Sequence, residues 1–277
     1  VDPLEISLGE ENELLKELQL ISHKDAFNAI HEPATVEDVA RARERLAFEE
    51  LFIRQVHLMS ERKKFQTLAS NKEGISIVST HLCDQLRKEL SFSLTGSQDR
   101  ALEEILNDMA GPAPMLRLLQ GDVGCGKTVV AALALLAAVG AGHQGAFMAP
   151  TEVLANQHYK TISDLLREMG PDAPKCEIIT GSTKQKDLKV IYEKIESGEI
   201  SIVIGTHSIY NADLKYKSLG LAVVDEQHRF GVDQRAKLSS KGNEIGTPCH
   251  LLTMTATPIP RTLAMTKYGE MGLSVIE

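Results

Sequence analysis

"RLLQGDVGCGKTVVAALALLAAV", Arg117–Val139, sets a short apolar run, a glycine-rich turn and an alanine- and leucine-rich run end to end. The turn fits G-x-x-x-x-G-K-[ST] in full, from Gly121 to Thr128. The spacing has a chemical reason. Small residues let backbone N–H groups turn inward around a phosphate, and the helix that follows presents its positive end to the same anion. Gly121, Asp122, Val123, Gly124, Cys125 and Gly126 form that cradle. Lys127 is placed to reach the β- and γ-phosphates, and Thr128 to offer a hydroxyl to Mg²⁺. An incidental glycine turn with a lysine would need neither flank. Here a strand-like run precedes the turn and a buried-helix pattern follows it. The reading is an ATP·Mg²⁺ site in which Cys125 serves through its backbone N–H rather than its thiol.

Such a site needs a second acid at the end of a neighbouring strand to hold the metal. "LAVVDEQHRFG", Leu221–Gly231, supplies one. Asp225 is the first polar residue after the apolar run, and Glu226 follows directly. Adjacent acids repel, so an unpaired pair at a strand end is a poor structural device. A divalent cation resolves the conflict. Asp225 is therefore read as a Mg²⁺ ligand with Thr128, and Glu226 as the base that orients and deprotonates water. A solvated turn is the plainer alternative.

Around these motifs the chain has two textures. Residues 1–92 read as helix upon helix. Pro33 breaks one helix, Thr35-Val36-Glu37-Asp38 resembles a capping box, and a long helix runs from about Val36 past Met59 with Val39, Leu46, Leu51 and Val56 at roughly helical spacing. Residues 93–277 alternate short apolar runs with helical patterns. Thr95-Gly96-Ser97-Gln98 is a second capping box, opening a helix with Ala101, Leu102, Ile105, Leu106 and Met109 on one face. The candidate strands are Met115–Gln120, Gly145–Ala149, Cys176–Thr180, Ile200–Gly205, Leu219–Val224, His250–Thr255 and Leu273–Ile276. Continuous apolar strands alternating with helices predict an α/β lobe with a mostly parallel sheet covered on both faces, preceded by an α-helical segment. Ligands of such a sheet sit beyond the carboxyl ends of its strands.

Composition adds exclusions rather than a function. Cys83, Cys125, Cys176 and Cys249 show no zinc or disulfide spacing, which predicts a reducing compartment. The longest apolar stretch, Val129–Val139, is shorter than the ~20 residues of a membrane helix. The net charge of −8 does not announce a nucleic-acid binder, although a local groove can still be basic. The basic run Ser60–Phe65 reads as a solvated helix end.

With these residues in place the chain resembles a superfamily 2 helicase or translocase motor. Asp225-Glu226-Gln227-His228 matches that superfamily's D-E-x-[DH] motif, and four further stretches follow its order: "APTEVLANQH" (Ala149–His158), "TGS" (Thr180–Ser182), "IGTHSI" (Ile204–Ile209) and "TATPIPRT" (Thr255–Thr262). "DEQHRFGV", "MAPTE", "LTGSQ", "AFNAIHEP" and "RLAFEEL" narrow the likeness to the RecG family of branched-DNA helicases, from about Asp25 to Glu277. The transcription-repair coupling factor shares much of the motor, and Gln227 with the N-terminal segment favours RecG.

The resemblance implies further roles. Gln98 would read adenine, a use that competes with its capping box. Pro150, Thr151, Glu152, Gly181, Ser182, Thr206 and His207 would face DNA phosphates. His228, Thr255, Ala256 and Thr257 would couple hydrolysis to the DNA face. It also implies ATP and Mg²⁺ as cofactors, branched or duplex DNA as partner, and action at stalled forks and Holliday junctions in the bacterial cytoplasm, at the nucleoid, or in an organelle. A second RecA-like lobe and a wedge domain would belong to the same full-length chain. Val1-Asp2-Pro3 is neither an initiator nor a signal peptide, so the chain reads as a fragment whose own hydrolysis is weak. A non-catalytic ATP-binding scaffold is the alternative of another class, and intact Lys127, Thr128, Asp225 and Glu226 argue against it. The remaining histidines, His158 among them, read as ordinary structural residues.

Overall fold

Alternate residues of the strands lie on opposite faces of one sheet, and both faces are buried. The computed structural model describes residues 15–70, 75–78, 80–210, 214–225, 249–257 and 271–277. Its helices are α1 (His23–His31), α2 (Val36–Ser70), α3 (His81–Glu89), α4 (Gly96–Met109), α5 (Lys127–Gly140), α6 (Glu152–Glu168) and α7 (Gln185–Glu196). Its strands are β1 (Leu116–Gly121), β2 (Gln144–Met148), β3 (Cys176–Ile179), β4 (Ile202–Gly205), β5 (Leu219–Asp225), β6 (His250–Thr255) and β7 (Gly272–Ile276). The sheet order is β3-β4-β2-β5-β6-β1-β7, and every pairing is parallel.

β5 shows why its apolar run is continuous. Leu221 and Val223 join one core cluster with Leu119, Phe147, Ile204 and Leu252, while Ala222 and Val224 join another with Ala146, Met148, Ile179 and Val203. A strand buried on both faces needs no polar alternation. α5 is apolar all round for the same reason: every residue from Val130 to Ala138 is buried. Among the described residues no helix is long and apolar enough to cross a membrane.

Both capping boxes form. Thr35 and Asp38 exchange backbone-to-side-chain bonds of 2.9 and 3.2 Å. Thr95 N donates to Gln98 Oε1 at 2.9 Å, and Gln98 N donates to Thr95 Oγ1 at 3.3 Å. Thr95→Ala removes one of these and is expected to destabilise the lobe by roughly 0.5–2 kcal/mol in a urea titration.

The chain divides into two compact units, one holding the helices up to Arg62 and the other the sheet with the helices around it. Within the first, the side chains of α2 that are buried among the described residues are Ala42, Arg45 and Glu49. Arg45 donates to Glu49 at 2.8 Å, and His23 joins Glu49 at 2.7 Å. The stripe expected from sequence lies elsewhere, and Leu51 and Val56 are half exposed. Long helices with many charged side chains can bury a paired ion face, which hydropathy spacing does not register.

Residues 75–92 belong with the sheet. Ile75, Ile77, Cys83 and Leu86 are buried in the same cluster as α5, and Ile77 N donates to Met109 O at 2.9 Å. The packing boundary therefore falls before the change of texture read at residue 92. Short apolar pairs such as Ile75/Ile77 carry no periodicity that would reveal it.

Candidate nucleotide site

β1, β6 and β5 are adjacent, and their carboxyl ends bring three motifs together. β1 ends at Gly121 and runs into the phosphate loop, β5 ends on Asp225, and β6 ends on Thr255. The register sets Asp225 beside Met254 and Gln120 beside Thr255. Asp225 is thus the last residue of its strand, held by the six buried strand positions before it.

The loop is shaped for an anion. Gly124 and Gly126 take φ of 86° and 89°, a region that side chains beyond glycine rarely adopt. Gly126 caps α5 with no side-chain hydrogen bond, and the first turn of α5 holds no acid. By contrast, α4, α6 and α7 each carry an acid there. The N–H groups at this helix end lack a side-chain acceptor, which a phosphate group supplies. Lys127 folds back over the loop, with Nζ donating to Gly121 O at 2.6 Å and Asp122 O at 2.8 Å. Cys125 Sγ lies 3.9 Å from the same amine.

Gln98 ties this loop to α4. Besides its capping bond it donates from Nε2 to Cys125 O at 2.8 Å. Its amide therefore spends one lone pair and one N–H within the protein. One of each is left, and adenine N6 and N7 require one acceptor and one donor. Nearby, a cleft of about 400 Å³ is lined by Arg87, Lys88, Leu90, Phe92, Leu94 and Asp99.

His158 was not anticipated at this site. It stands on α6, with Nε2 2.8 Å from Asp225 Oδ2 and Nδ1 3.4 Å from Thr128 Oγ1. In sequence His158 closes the stretch Ala149–His158 and shares a helical face with Ala155, Ile162 and Leu166, which reads as core. One carboxylate and one hydroxyl suit Mg²⁺, which keeps waters and phosphate oxygens for its other positions. No cluster of three or more His, Cys, Asp or Glu side chains exists among the described residues, so a metal held wholly by protein is not what this donor set fits.

The other half of the same edge carries the remaining motifs. Pro150, Gly181 and Thr206 follow the ends of β2, β3 and β4, three adjacent strands. Thr151 caps α6, its hydroxyl accepting from Leu154 N at 3.3 Å. Glu152 reaches Gly181, where an added Cβ would lie 2.9 Å from Glu152 Oε1. Ser182 Oγ is 2.8 Å from Thr180 Oγ1. Thr206 is 4% exposed and donates its N–H to Ile179 O at 3.4 Å, so it braces β4 against β3, while His207 beside it is exposed. Thr255 is buried and accepts from Thr257 N at 3.1 Å, with Ala256 between them half-buried. Glu226, Gln227 and His228 lie outside the described residues, as does the stretch from Pro258 to Thr262.

Comparison with known proteins agrees with this arrangement. The DEAD/DEAH box helicase model matches residues 95–266. The ATP-dependent DNA helicase RecG of Synechocystis is 42% identical over 96% of this chain, which spans 31% of that protein. The ATP-dependent DNA helicase homolog RECG1, chloroplastic/mitochondrial, of Arabidopsis thaliana is 42% identical over 95% of this chain, which covers 31% of it. The structure of RecG bound to a three-way DNA junction superposes with a TM-score of 0.81 at 38% identity, over 100% of this chain and 37% of that one. The chain thus spans about a third of the length of the RecG proteins it matches. The family model spans the phosphate loop, Asp225 and strands β1 to β6, and the chain belongs to the DEAD/DEAH box helicases.

Proposed function

We propose that this chain is the ATP-binding lobe of a RecG-type DNA helicase or translocase, acting on branched DNA such as stalled forks and four-way junctions. The observation that carries this reading is the convergence of the loop after β1, which leads into Lys127 and Thr128, with Asp225 at the end of β5, bridged by His158, in a chain similar to RecG over nearly its whole length. Thr128 and Asp225 would hold Mg²⁺ with the nucleotide, and Lys127 would neutralise the β- and γ-phosphates. The cation, when bound, stabilises charge on the transferring phosphoryl group. Glu226, next in the chain after Asp225, is assigned as the base for water. Gln98, with the neighbouring cleft at Phe92, is assigned to the adenine base.

The motifs ending β2, β3 and β4 are assigned to DNA backbone. Helix N-termini, hydroxyls and amides position phosphates without a basic total, which accommodates the net charge of −8. Thr255 ends β6, between β1 and β5 in the sheet, and Thr257 follows it closely. They are assigned to coupling, together with His228. The second motor lobe and a wedge domain are the partners that the RecG reading requires.

The test uses the intact protein with a three-way junction and with single-stranded DNA of equal length. Junction DNA is expected to stimulate ATP hydrolysis more strongly, and Asp225→Asn to abolish the stimulated rate in the presence of Mg²⁺. Equal rates with and without DNA, or full activity in Asp225→Asn, would reject the assignment.

A further inference from the structure

The two proposed metal-side ligands come from different elements and meet on one imidazole. Thr128 stands on α5 and Asp225 at the end of β5, and His158 reaches both from α6. The ring is 9% exposed and packs on buried Phe147, with centroids 4.5 Å apart at 43°. Its plane is therefore set by β2, the strand next to β5.

The partners decide the tautomer. An ionised carboxylate only accepts, so Nε2 carries the proton and gives it to Asp225 Oδ2. In the neutral ring Nδ1 is then an acceptor, and the Thr128 hydroxyl is its donor across a long 3.4 Å contact. A hydroxyl that donates to Nδ1 turns its lone pairs away from the ring. A hydroxyl that ligates a cation needs an acceptor for its proton, and Nδ1 supplies one. Likewise, the 2.8 Å bond to Oδ2 fixes the rotation of the Asp225 carboxylate at the end of β5.

We propose that His158 is a positioning residue for the Mg²⁺ that accompanies ATP, holding Thr128 and Asp225 in ligating orientation. This rests on the nucleotide reading given above. Groups that orient metal ligands typically change metal affinity by about ten- to a hundredfold when removed. A histidine that merely fills space against Phe147 would not act selectively on the metal.

The experiment measures dissociation constants of a fluorescent ATP analogue for the intact protein, in EDTA and in saturating Mg²⁺. The wild type is expected to bind more tightly with Mg²⁺. His158→Phe keeps a ring against Phe147 but removes both hydrogen bonds. It should leave the EDTA value within about twofold and lose about tenfold or more of the Mg²⁺ tightening. His158→Gln keeps an N–H donor and should recover part of that loss. Where the phenylalanine variant does not fold, His158→Asn, whose shorter amide falls short of Asp225, is read in its place. A wild-type ratio in His158→Phe overturns the proposal, as does an equal loss with and without Mg²⁺. Absence of any Mg²⁺ effect in the wild type instead overturns the assignment of Thr128 and Asp225, and His158 falls with it.

Discussion

Lys127→Ala lowers the rate of ATP hydrolysis at saturating nucleotide by about 10² to 10³, the range seen when one preorganised donor to developing charge is removed. The structure gives the reason for so large an effect from one amine. Nζ is not a free surface charge; it is held at 2.6 and 2.8 Å from the carbonyls of Gly121 and Asp122, at the head of an uncapped helix. Those carbonyls aim the ammonium group over the loop. Alanine leaves the N–H cradle intact and removes the charge with its two hydrogen bonds to a solvent-facing loop, so melting temperature should fall only slightly. Lys127→Arg should fail almost as badly, because a planar guanidinium cannot stand in for a compact point charge inside a closed loop. Steady-state hydrolysis by the intact protein, with and without junction DNA, checks both variants. Retention of more than about a tenth of the wild-type rate by Lys127→Ala would be incompatible with the site as assigned.

Most of this site is local in sequence, which is why it could be read there. The phosphate loop is eight consecutive residues whose backbone shape follows from glycine at Gly124 and Gly126. Asp225 is marked by where an apolar run stops, and the strand confirms it as the final residue. The parallel sheet follows from apolar runs without alternation. What could not be read depends on contacts between distant residues. His158 meets Thr128 across 30 positions and Asp225 across 67, and its helix face looks like core. Gln98 presented two competing uses in sequence, capping and base recognition. In the structure its amide caps Thr95 and also grips Cys125 O, a third use that no spacing displays. The boundary at residue 92 followed texture, while packing drew residues 75–92 into the lobe.

A second distant contact with a consequence for stability is His250. It lies at the start of β6, 1% exposed, with Nδ1 accepting from Met115 N at 2.9 Å and Nε2 donating to Ile75 O at 2.6 Å. The ring thus joins β6, the residue preceding β1 and the segment before α3. Only the neutral imidazole fits, because a proton on Nδ1 would face the Met115 N–H. Burial is the main cause that holds its pKa down to about 4 from 6.5; His143 adds to the lowering, while the bond to Ile75 O and the charge of Asp108 oppose it.

The sign follows directly. Below pH 6.5 the unfolded chain takes up a proton at this site and the folded chain does not, down to about pH 4. The stabilisation is therefore complete above pH 6.5 and is lost as pH falls towards 4, by about 3 kcal/mol in all. The comparison with His250→Leu isolates the histidine. At pH 7.5 that variant leaves Met115 N and Ile75 O buried without their partner and should lose about 2–6 kcal/mol of unfolding free energy. Its deficit should then shrink between pH 6.5 and 4, because only the wild type pays the cost of keeping a histidine neutral. Denaturant titrations of both proteins across that range measure the convergence. Parallel curves, with a constant gap at every pH, would mean that His250 is protonated in the folded lobe and that the Met115 bond is not made through Nδ1.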